Sequence, residues 1–151
     1  VGGIFAPVLL RPPEESGELK QWTDAVGLDL IFLLSPMSGA DRIELVGRAS
    51  RGFVYYVSVT GVTGARRSFD DTLRAQVGRV RRATALPVGV GFGISTPQQA
   101  AWIAGFADAA VVGSALVERI EKTKGNNKKA KQAGAFVAQL KQALRQVARS
   151  H

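Results

Sequence analysis

The sequence predicts an α/β fold built from parallel βα units, and two features of the chain indicate it. Short apolar runs alternate five times with longer amphipathic stretches, which is typical of strands connected by helices rather than by hairpins. Each run is apolar on both faces, as expected for strands that helices cover on both sides of a sheet. The predicted strands are residues 3–7, 29–34, 52–58, 87–91 and 109–112.

The first two helices follow from their end signals. The first is expected to start near Pro13 and to stop before Gly27, because proline fits the first turn of a helix. The second is expected at about residues 41–49, with Asp41 as its N-cap, because a short carboxylate accepts hydrogen bonds from the first free N–H groups. Both lie where a crossover between parallel strands requires a helix.

The later helices are marked by capping residues and by apolar spacing. Thr96 and Pro97 form a cap followed by proline at the first helical position, which predicts a helix over residues 96–106. The remaining helices are predicted at residues 70–84 and 114–121 and, after a break at 124–127, in a final stretch that carries Phe136, Val137, Leu140 and Leu144.

Five βα units are too few to close an eight-stranded barrel, in which strand number, tilt and shear are linked. The sequence therefore predicts a partial TIM (βα)8 barrel, with residues 1–151 as a single domain that forms the C-terminal portion of the barrel. The chain opens at Val1 inside an apolar segment, and three upstream units are expected to be absent from it. An upstream segment or a partner protein is expected to cover the exposed edge strands.

Composition excludes several classes of site. With 46% hydrophobic and 21% charged residues, the 151-residue chain has an ordinary globular composition, and no apolar run reaches the roughly 18 residues of a membrane span. The absence of cysteine excludes a disulfide framework and a thiolate metal site, and His151 is the only histidine. We therefore expect neither a metal nor a cofactor.

The net charge of +8 is high for an enzyme that acts on small molecules. The densest basic run follows the last predicted strand and has no interleaved aromatic residues on which bases could stack, so no specific nucleic acid is expected. Two interpretations remain open: solvated helix faces, or a surface that contacts an anionic partner. The residues of this run are Arg119, Lys122, Lys124, Lys128, Lys129 and Lys131.

Three glycine-rich loops follow predicted strands, and they indicate a phosphate site. Residues 58–65 have the glycines and small hydroxyl residues of a mobile cover. Residues 91–95 and 113–114 precede helices, so a ligand can approach the backbone closely while the first N–H groups of the helix point at it. (βα)8 barrels typically build a phosphate site from the loops after strands seven and eight. If the five predicted strands are the last five of eight, residues 91–95 and 113–114 lie at those positions. The alternative is that these glycines only permit tight turns. A dinucleotide site is less supported, because Thr96 replaces the third glycine of that motif.

Five strings in and around these loops occur in a fixed order: GFVYYVS at 52–58, GVTG at 61–64, PV at 87–88, GFGIS at 91–95 and VGSA at 112–115. In order and spacing they resemble tryptophan synthase alpha subunits, and the resemblance runs from about Gly3 to about Glu121. The resemblance implies a (βα)8 barrel that cleaves indole-3-glycerol phosphate to indole and glyceraldehyde 3-phosphate. It also implies a beta subunit that receives the indole.

The same resemblance implies roles for seven residues. They are Gly64, Gly93, Gly113 and Ser114 for binding the substrate phosphate, Tyr55 and Phe92 for the substrate pocket, and Thr63 for loop closure. A plainer alternative exists for the last three, since aromatic residues often pack in cores and threonine is common in turns.

The catalytic Glu and Asp of the family would lie before Val1, so we expect no catalytic residue in this chain and predict that the chain alone is inactive. The acids that are present belong to helix faces or to the wrong ends of strands. They are Glu14, Glu15, Glu18, Asp24, Asp29, Asp70, Asp71 and Asp108. The alternative function is a non-catalytic, barrel-derived structural subunit docked on a larger protein assembly.

Two loops depart from the family pattern. Residues 7–12 lose an expected Asp and form a longer loop, near the implied contact with a beta subunit. Met37 stands where a small polar residue is expected. A protein partner is still expected, either the beta subunit or the larger assembly of the alternative.

Overall fold

The computed structural model describes residues 3–5, 16–58, 66–91 and 93–148 of the 151. Strands and helices alternate through these ranges, as predicted. In chain order they are β1 (Gly3–Phe5), α1 (Gly17–Ala25), β2 (Asp29–Ile31), β3 (Leu33–Leu34), α2 (Ala40–Ala49), β4 (Val54–Val57), α3 (Arg66–Ala83), β5 (Val88–Gly91), α4 (Pro97–Ala104), β6 (Ala109–Val111), α5 (Ser114–Lys122) and α6 (Asn126–Ala148).

All strand pairs in the described part of the chain are parallel. β1 pairs with β2, and β3, β4, β5 and β6 form a four-stranded ladder in that order. Strands that pair are consecutive along the chain, and a helix connects each such pair, which is the connectivity of a (βα)8 barrel. The predicted fold class, five parallel βα units of a partial barrel followed by a further helix, is confirmed.

β2 and β3 are two halves of the single strand predicted at residues 29–34, and they separate at Phe32. The Phe32 N–H donates to Ser50 Oγ at 3.3 Å, and the Phe32 carbonyl accepts from the Tyr55 N–H at 3.1 Å. Ser50 is buried and lies at the C-cap of α2. A side chain thus supplies the acceptor for a buried backbone donor at the point where one ladder gives way to the other.

The core lies between the sheet and the helices that cover it. One apolar face of α3 is buried there, with Leu73, Val77 and Val80 at most 2% exposed. Tyr56 of β4 is buried as well, and its hydroxyl donates to Gln76 Oε1 of α3 at 2.6 Å. Burial raises the pKa of Tyr56 to about 12, so the hydroxyl remains a hydrogen-bond donor at neutral pH.

The first two helices begin differently from the prediction. Asp41 is not an N-cap, because Gly39 holds that position in α2 and no side chain caps the helix. Asp41 lies in the first turn instead, where its negative charge interacts favourably with the positive end of the helix dipole. α1 begins at Gly17, and the predicted start near Pro13 lies outside the described residues.

Two later boundaries also move. α3 begins at Arg66, four residues before the predicted start at residue 70, so the acidic pair at 70–71 does not open a helix. α4 ends at Ala104, and Phe106 lies in the following turn, where it is still buried. The rings of Trp102 and Phe106 pack in a T-shaped arrangement, with centroids 4.7 Å apart, which keeps the end of α4 against the core.

α6 packs across α4 and α5 at the end of the chain. The break before it comes at Gly125, which has a φ of 88°. Phe136 of α6 is buried, and the guanidinium carbon of Arg119 lies 4.0 Å from the centre of its ring. Arg119, a member of the basic run, therefore contributes to packing. Of the described helices, none is both long and apolar enough to cross a membrane.

Candidate functional site

A cavity of about 240 Å³ lies at the carboxyl ends of β4, β5 and β6. It brings together four of the predicted site residues, Tyr55, Gly93, Gly113 and Ser114. Its other lining residues are Ile94, Ser95, Val111, Ala115 and Glu118. Functional groups gather at this edge of a parallel sheet because the loops after the strands converge there. The predicted Thr63, Gly64 and Phe92 lie outside the described residues.

A larger open groove of about 450 Å³ lies along α6, away from the strand ends. Its described lining comes from one exposed helix face and is formed by Ala138, Lys141, Gln142, Arg145 and Gln146. Backbone N–H groups in the middle of a helix are already bonded within it, so this face offers a ligand only long, mobile side chains. The strand-end cavity is the better candidate.

Glycine in β5 makes room for two aromatic rings, one from β4 and one from the residue just before it. A Cβ atom on Gly91 would lie 2.1 Å from Tyr55 Oη, and a Cβ on Gly89 would lie 3.2 Å from Phe53 Cε2. Tyr55 is half-buried, and burial raises the pKa of its hydroxyl, so the group stays protonated at neutral pH. The Tyr55 ring thus forms one wall of the cavity in space that the missing side chain of Gly91 leaves open.

Ser58 fastens the carboxyl end of β4 to that of β5. It is 1% exposed, and both its N–H and its hydroxyl donate to the Gly91 carbonyl, at 2.9 and 3.0 Å. Gly91 is the last residue of β5, two residues before Gly93 in the cavity wall. The two hydrogen bonds therefore fix the place where the loop after β5 begins.

The N-terminus of α4 is capped by its own side chains. Thr96 Oγ1 accepts from the Gln99 N–H at 3.2 Å, and Gln99 Oε1 accepts from the N–H groups of Ser95 and Thr96 at 2.8 and 3.1 Å. Pro97 has no N–H to offer. The predicted helix at 96–106 thus has the predicted cap, but that cap occupies donors that the phosphate hypothesis assigned to a ligand. In this loop the cavity is instead lined by Gly93, which has a φ of 77°.

The N-terminus of α5 is open by comparison. Gly113 is its N-cap, and no side chain caps this helix. The Gly113 carbonyl accepts from the N–H groups of Leu116 and Val117. The two earlier N–H groups, on Ser114 and Ala115, have no acceptor within a helix, and both residues line the cavity. The cavity therefore faces the positive end of α5.

Glu118 is a site residue that the sequence argument missed. It lies one turn after Ser114 on the same face of α5, lines the cavity and forms an ion pair with Lys122. The hydrogen bond from Lys122 holds the pKa of the Glu118 carboxyl below its usual value, with smaller contributions from the charges of Lys122 and Arg119. The four-residue spacing from Ser114 is the signal that predicts this placement.

Other acids of the described chain have structural partners away from the cavity. Asp24 pairs with Lys20 at 2.8 Å and with Arg51 at 3.4 Å. Asp108 accepts from the Val88 N–H at 2.9 Å, at the opposite end of β5. Within the described residues, no three His, Asp or Glu side chains are grouped in a way that would hold a metal ion.

Comparison with known proteins adds sequence relatives. The sequence profile of the tryptophan synthase alpha chain family matches residues 3–145. The tryptophan synthase alpha chain of Geobacter sp. (strain M21) is 56% identical over 133 residues, which cover 88% of this chain and 49% of that protein. The alpha chain of Citrifermentans bemidjiense is 57% identical over the same length, with the same shares covered. This chain spans about half the length of these relatives.

Solved structures show the same relationship. Tryptophan synthase subunit alpha from Legionella pneumophila superposes with a TM-score of 0.80 at 31% identity, covering 97% of this chain and 53% of that one. Tryptophan synthase from M. tuberculosis in its open form gives 0.78 at 33% identity, covering 95% and 51%. The similarity thus extends over nearly all of this chain and half of each structure.

Proposed function

This chain belongs to the tryptophan synthase alpha chain family, and from that premise we propose that it forms the phosphate-binding half of an indole-3-glycerol phosphate lyase. In this role Gly93, Gly113 and Ser114 bind the substrate phosphate, together with Gly64 from outside the described residues. Tyr55 forms a wall of the substrate pocket. The family reaction gives indole and glyceraldehyde 3-phosphate, and in this proposal the chain supplies residues that bind the substrate phosphate.

The open N-terminus of α5 is the observation that carries this proposal. Two N–H groups without helical acceptors face a cavity at the carboxyl ends of neighbouring strands, and the dipole of α5 adds positive potential there. Gly113 has no side chain to fill the space, and a Cβ at this position would meet no atom within 4 Å. The hydroxyl of Ser114 can add a third donor to the same anion.

Ser114→Asp tests the phosphate site. A carboxylate at the first position of α5 would occupy the free donors and repel an anion, so titration calorimetry with glycerol 3-phosphate should show binding to the native chain and none to the variant. Ala40→Asp is the matched control, because it adds the same carboxylate at the first position of α2, on an exposed residue that does not line the cavity. Equal affinities in the native chain and the Ser114 variant would contradict the assignment.

We further propose that the chain alone does not turn over substrate. Phosphate binding positions a substrate, but cleavage requires a group that moves a proton. Glu118, the one acid among the described residues that line the cavity, has a pKa lowered by its hydrogen bond with Lys122, which does not suit a general acid. Purified chain mixed with indole-3-glycerol phosphate should release indole no faster than the uncatalysed background.

A non-catalytic structural subunit is the second candidate. Met37, in the loop after β3, is 92% exposed, and an exposed methionine at the carboxyl-end face suits contact with another protein. Supplying the N-terminal half of the Geobacter alpha chain in trans separates the two functions. Restored cleavage of indole-3-glycerol phosphate supports the lyase half, while a stable complex without cleavage supports the structural subunit. In either function we propose a protein partner, a beta subunit in the first and a larger assembly in the second.

A further inference from the structure

Glu118 is the only charged side chain among the described residues that line the strand-end cavity. Treated as a sphere, a cavity of about 240 Å³ is roughly 8 Å across, and this width sets the scale of the separation between an anion held by the Ser114 N–H and the side chain of Glu118. Like charges at this separation repel, and the repulsion grows with the charge of the ligand. An anion site that has an acidic side chain in its lining therefore binds anions of higher charge less tightly than the same site without that side chain.

The contacts of Glu118 keep its charge in place. Lys122 donates to the carboxylate from the next turn of α5, and this bond is the main cause of its lowered pKa. The carboxylate is therefore ionised throughout the neutral range. The side chain of Glu118 is 60% exposed, so it reaches the solvent side of the cavity rather than its floor.

We propose that Glu118 is a specificity-determining residue that selects by charge. The site accepts a phosphate monoester whose remaining part is uncharged and disfavours a ligand that carries a second anionic group. The free donors of α5 compensate one phosphate, and no described cationic side chain lines the cavity to compensate another anion. This inference rests on the proposed phosphate site and assigns a ligand class to it.

Two ligands of similar size test the inference. Glycerol 3-phosphate carries about two negative charges at about pH 8, and 3-phosphoglycerate carries about one more. Calorimetry of the purified 151-residue chain at low ionic strength gives the ratio of their affinities. One charge at roughly 8 Å in water changes affinity about twofold per unit of ligand charge. Glu118→Gln should therefore shift the ratio about twofold towards 3-phosphoglycerate, and Glu118→Lys about fivefold.

Two further variants control for other causes. Glu121→Gln changes the net charge by the same amount on the same helix, but Glu121 is exposed and does not line the cavity. It should leave the ratio unchanged. Lys122→Gln removes the partner of Glu118 and should shift the ratio away from 3-phosphoglycerate. All shifts should shrink at physiological salt, where the Debye length is about 8 Å.

The outcomes separate the inference from the function beneath it. If glycerol 3-phosphate binds the native chain but the ratio is the same in the Glu118 and Glu121 variants, the charge selection is wrong and the phosphate site stands. A Glu118→Gln variant with weaker binding of glycerol 3-phosphate would also overturn it, because the carboxylate would then be accepting a ligand hydroxyl. Failure of both ligands to bind the native chain would refute the phosphate site and the selection together.

Discussion

Gly91→Ala is expected to destabilise the chain, because the ring of Tyr55 fills the space that a methyl group at this position would take. The added Cβ would lie 2.1 Å from Tyr55 Oη, 2.6 Å from Tyr55 Cζ and 3.1 Å from Val111 Cβ. Ordinary van der Waals contacts begin at about 3.4 Å, so the Tyr55 ring has to move by more than about 1 Å. Overpacking of this kind costs about 1–3 kcal/mol, which lowers the melting temperature of a domain of this size by roughly 3–10 °C.

Tyr55→Leu provides the second arm of a double-mutant cycle. Leucine lacks both of the closest atoms, so Gly91→Ala should cost less in the Tyr55→Leu background, with a coupling free energy of about 0.5–3 kcal/mol. Gly78→Ala in α3 is the control, since its Cβ would meet only the mobile end of Arg82 at 3.6 Å. That change should stabilise the chain by about 0.5–1 kcal/mol.

Urea unfolding followed by circular dichroism gives the four free energies of unfolding in the cycle. Equal costs of Gly91→Ala in both backgrounds would show that Tyr55 does not occupy the Gly91 site, and the argument that glycine in β5 makes room for β4 would fail. Binding of glycerol 3-phosphate by the same proteins tells whether moving the ring also alters the cavity wall.

Three further perturbations have defined outcomes. Ser50→Ala leaves the buried Phe32 N–H without its side-chain acceptor and should cost about 1–3 kcal/mol in urea unfolding, whereas Ser50→Thr, which keeps a hydroxyl, should cost less. Asp108→Ala removes the acceptor of the buried Val88 N–H and should lower the free energy of unfolding by a similar amount, with a small loss for Asp108→Asn. Burial raises the pKa of Tyr56 from 10.0 to about 12, so the stability that the neutral hydroxyl contributes is complete below about pH 10 and is lost as the pH rises towards 12. Tyr56→Phe should remove this fall in the free energy of unfolding between about pH 10 and 12.

The sequence predicted the strands well because continuous apolar runs leave a plain signal. Burial on both faces was expected for all of them, but among the strands whose side chains the structure describes only β5 is buried at every residue, whereas β4 alternates between buried and half-buried residues and β6 has no buried residue. The division of one strand at Phe32 was not predictable, since it depends on the hydroxyl of Ser50, which is distant along the chain and adjacent only in the fold.

The starts of the helices and the residues of the site were predicted only in part. Asp41 has the chemistry of a cap but stands two residues after Gly39, and a local motif does not decide between such neighbouring positions. Gly93, Gly113 and Ser114 were brought to one cavity because strand-end loops converge in any parallel barrel. Glu118 was not predicted because site residues were expected in the loops after the strands, whereas Glu118 lies in the second turn of the helix that follows.

The exchange of partners at Phe32 also bears on how the sheet opens. The β1–β2 ladder and the ladder from β3 to β6 share no strand pair, and β2 and β3 adjoin at one residue, Phe32, whose N–H donates to Ser50 Oγ and whose carbonyl accepts from the Tyr55 N–H. Local fluctuations that separate β1 from β2 need not break the hydrogen bonds between β3 and β4. We therefore expect the amides of β1 and β2 to exchange with solvent independently of those in the strands around the cavity, with Phe32 at the boundary between the two groups.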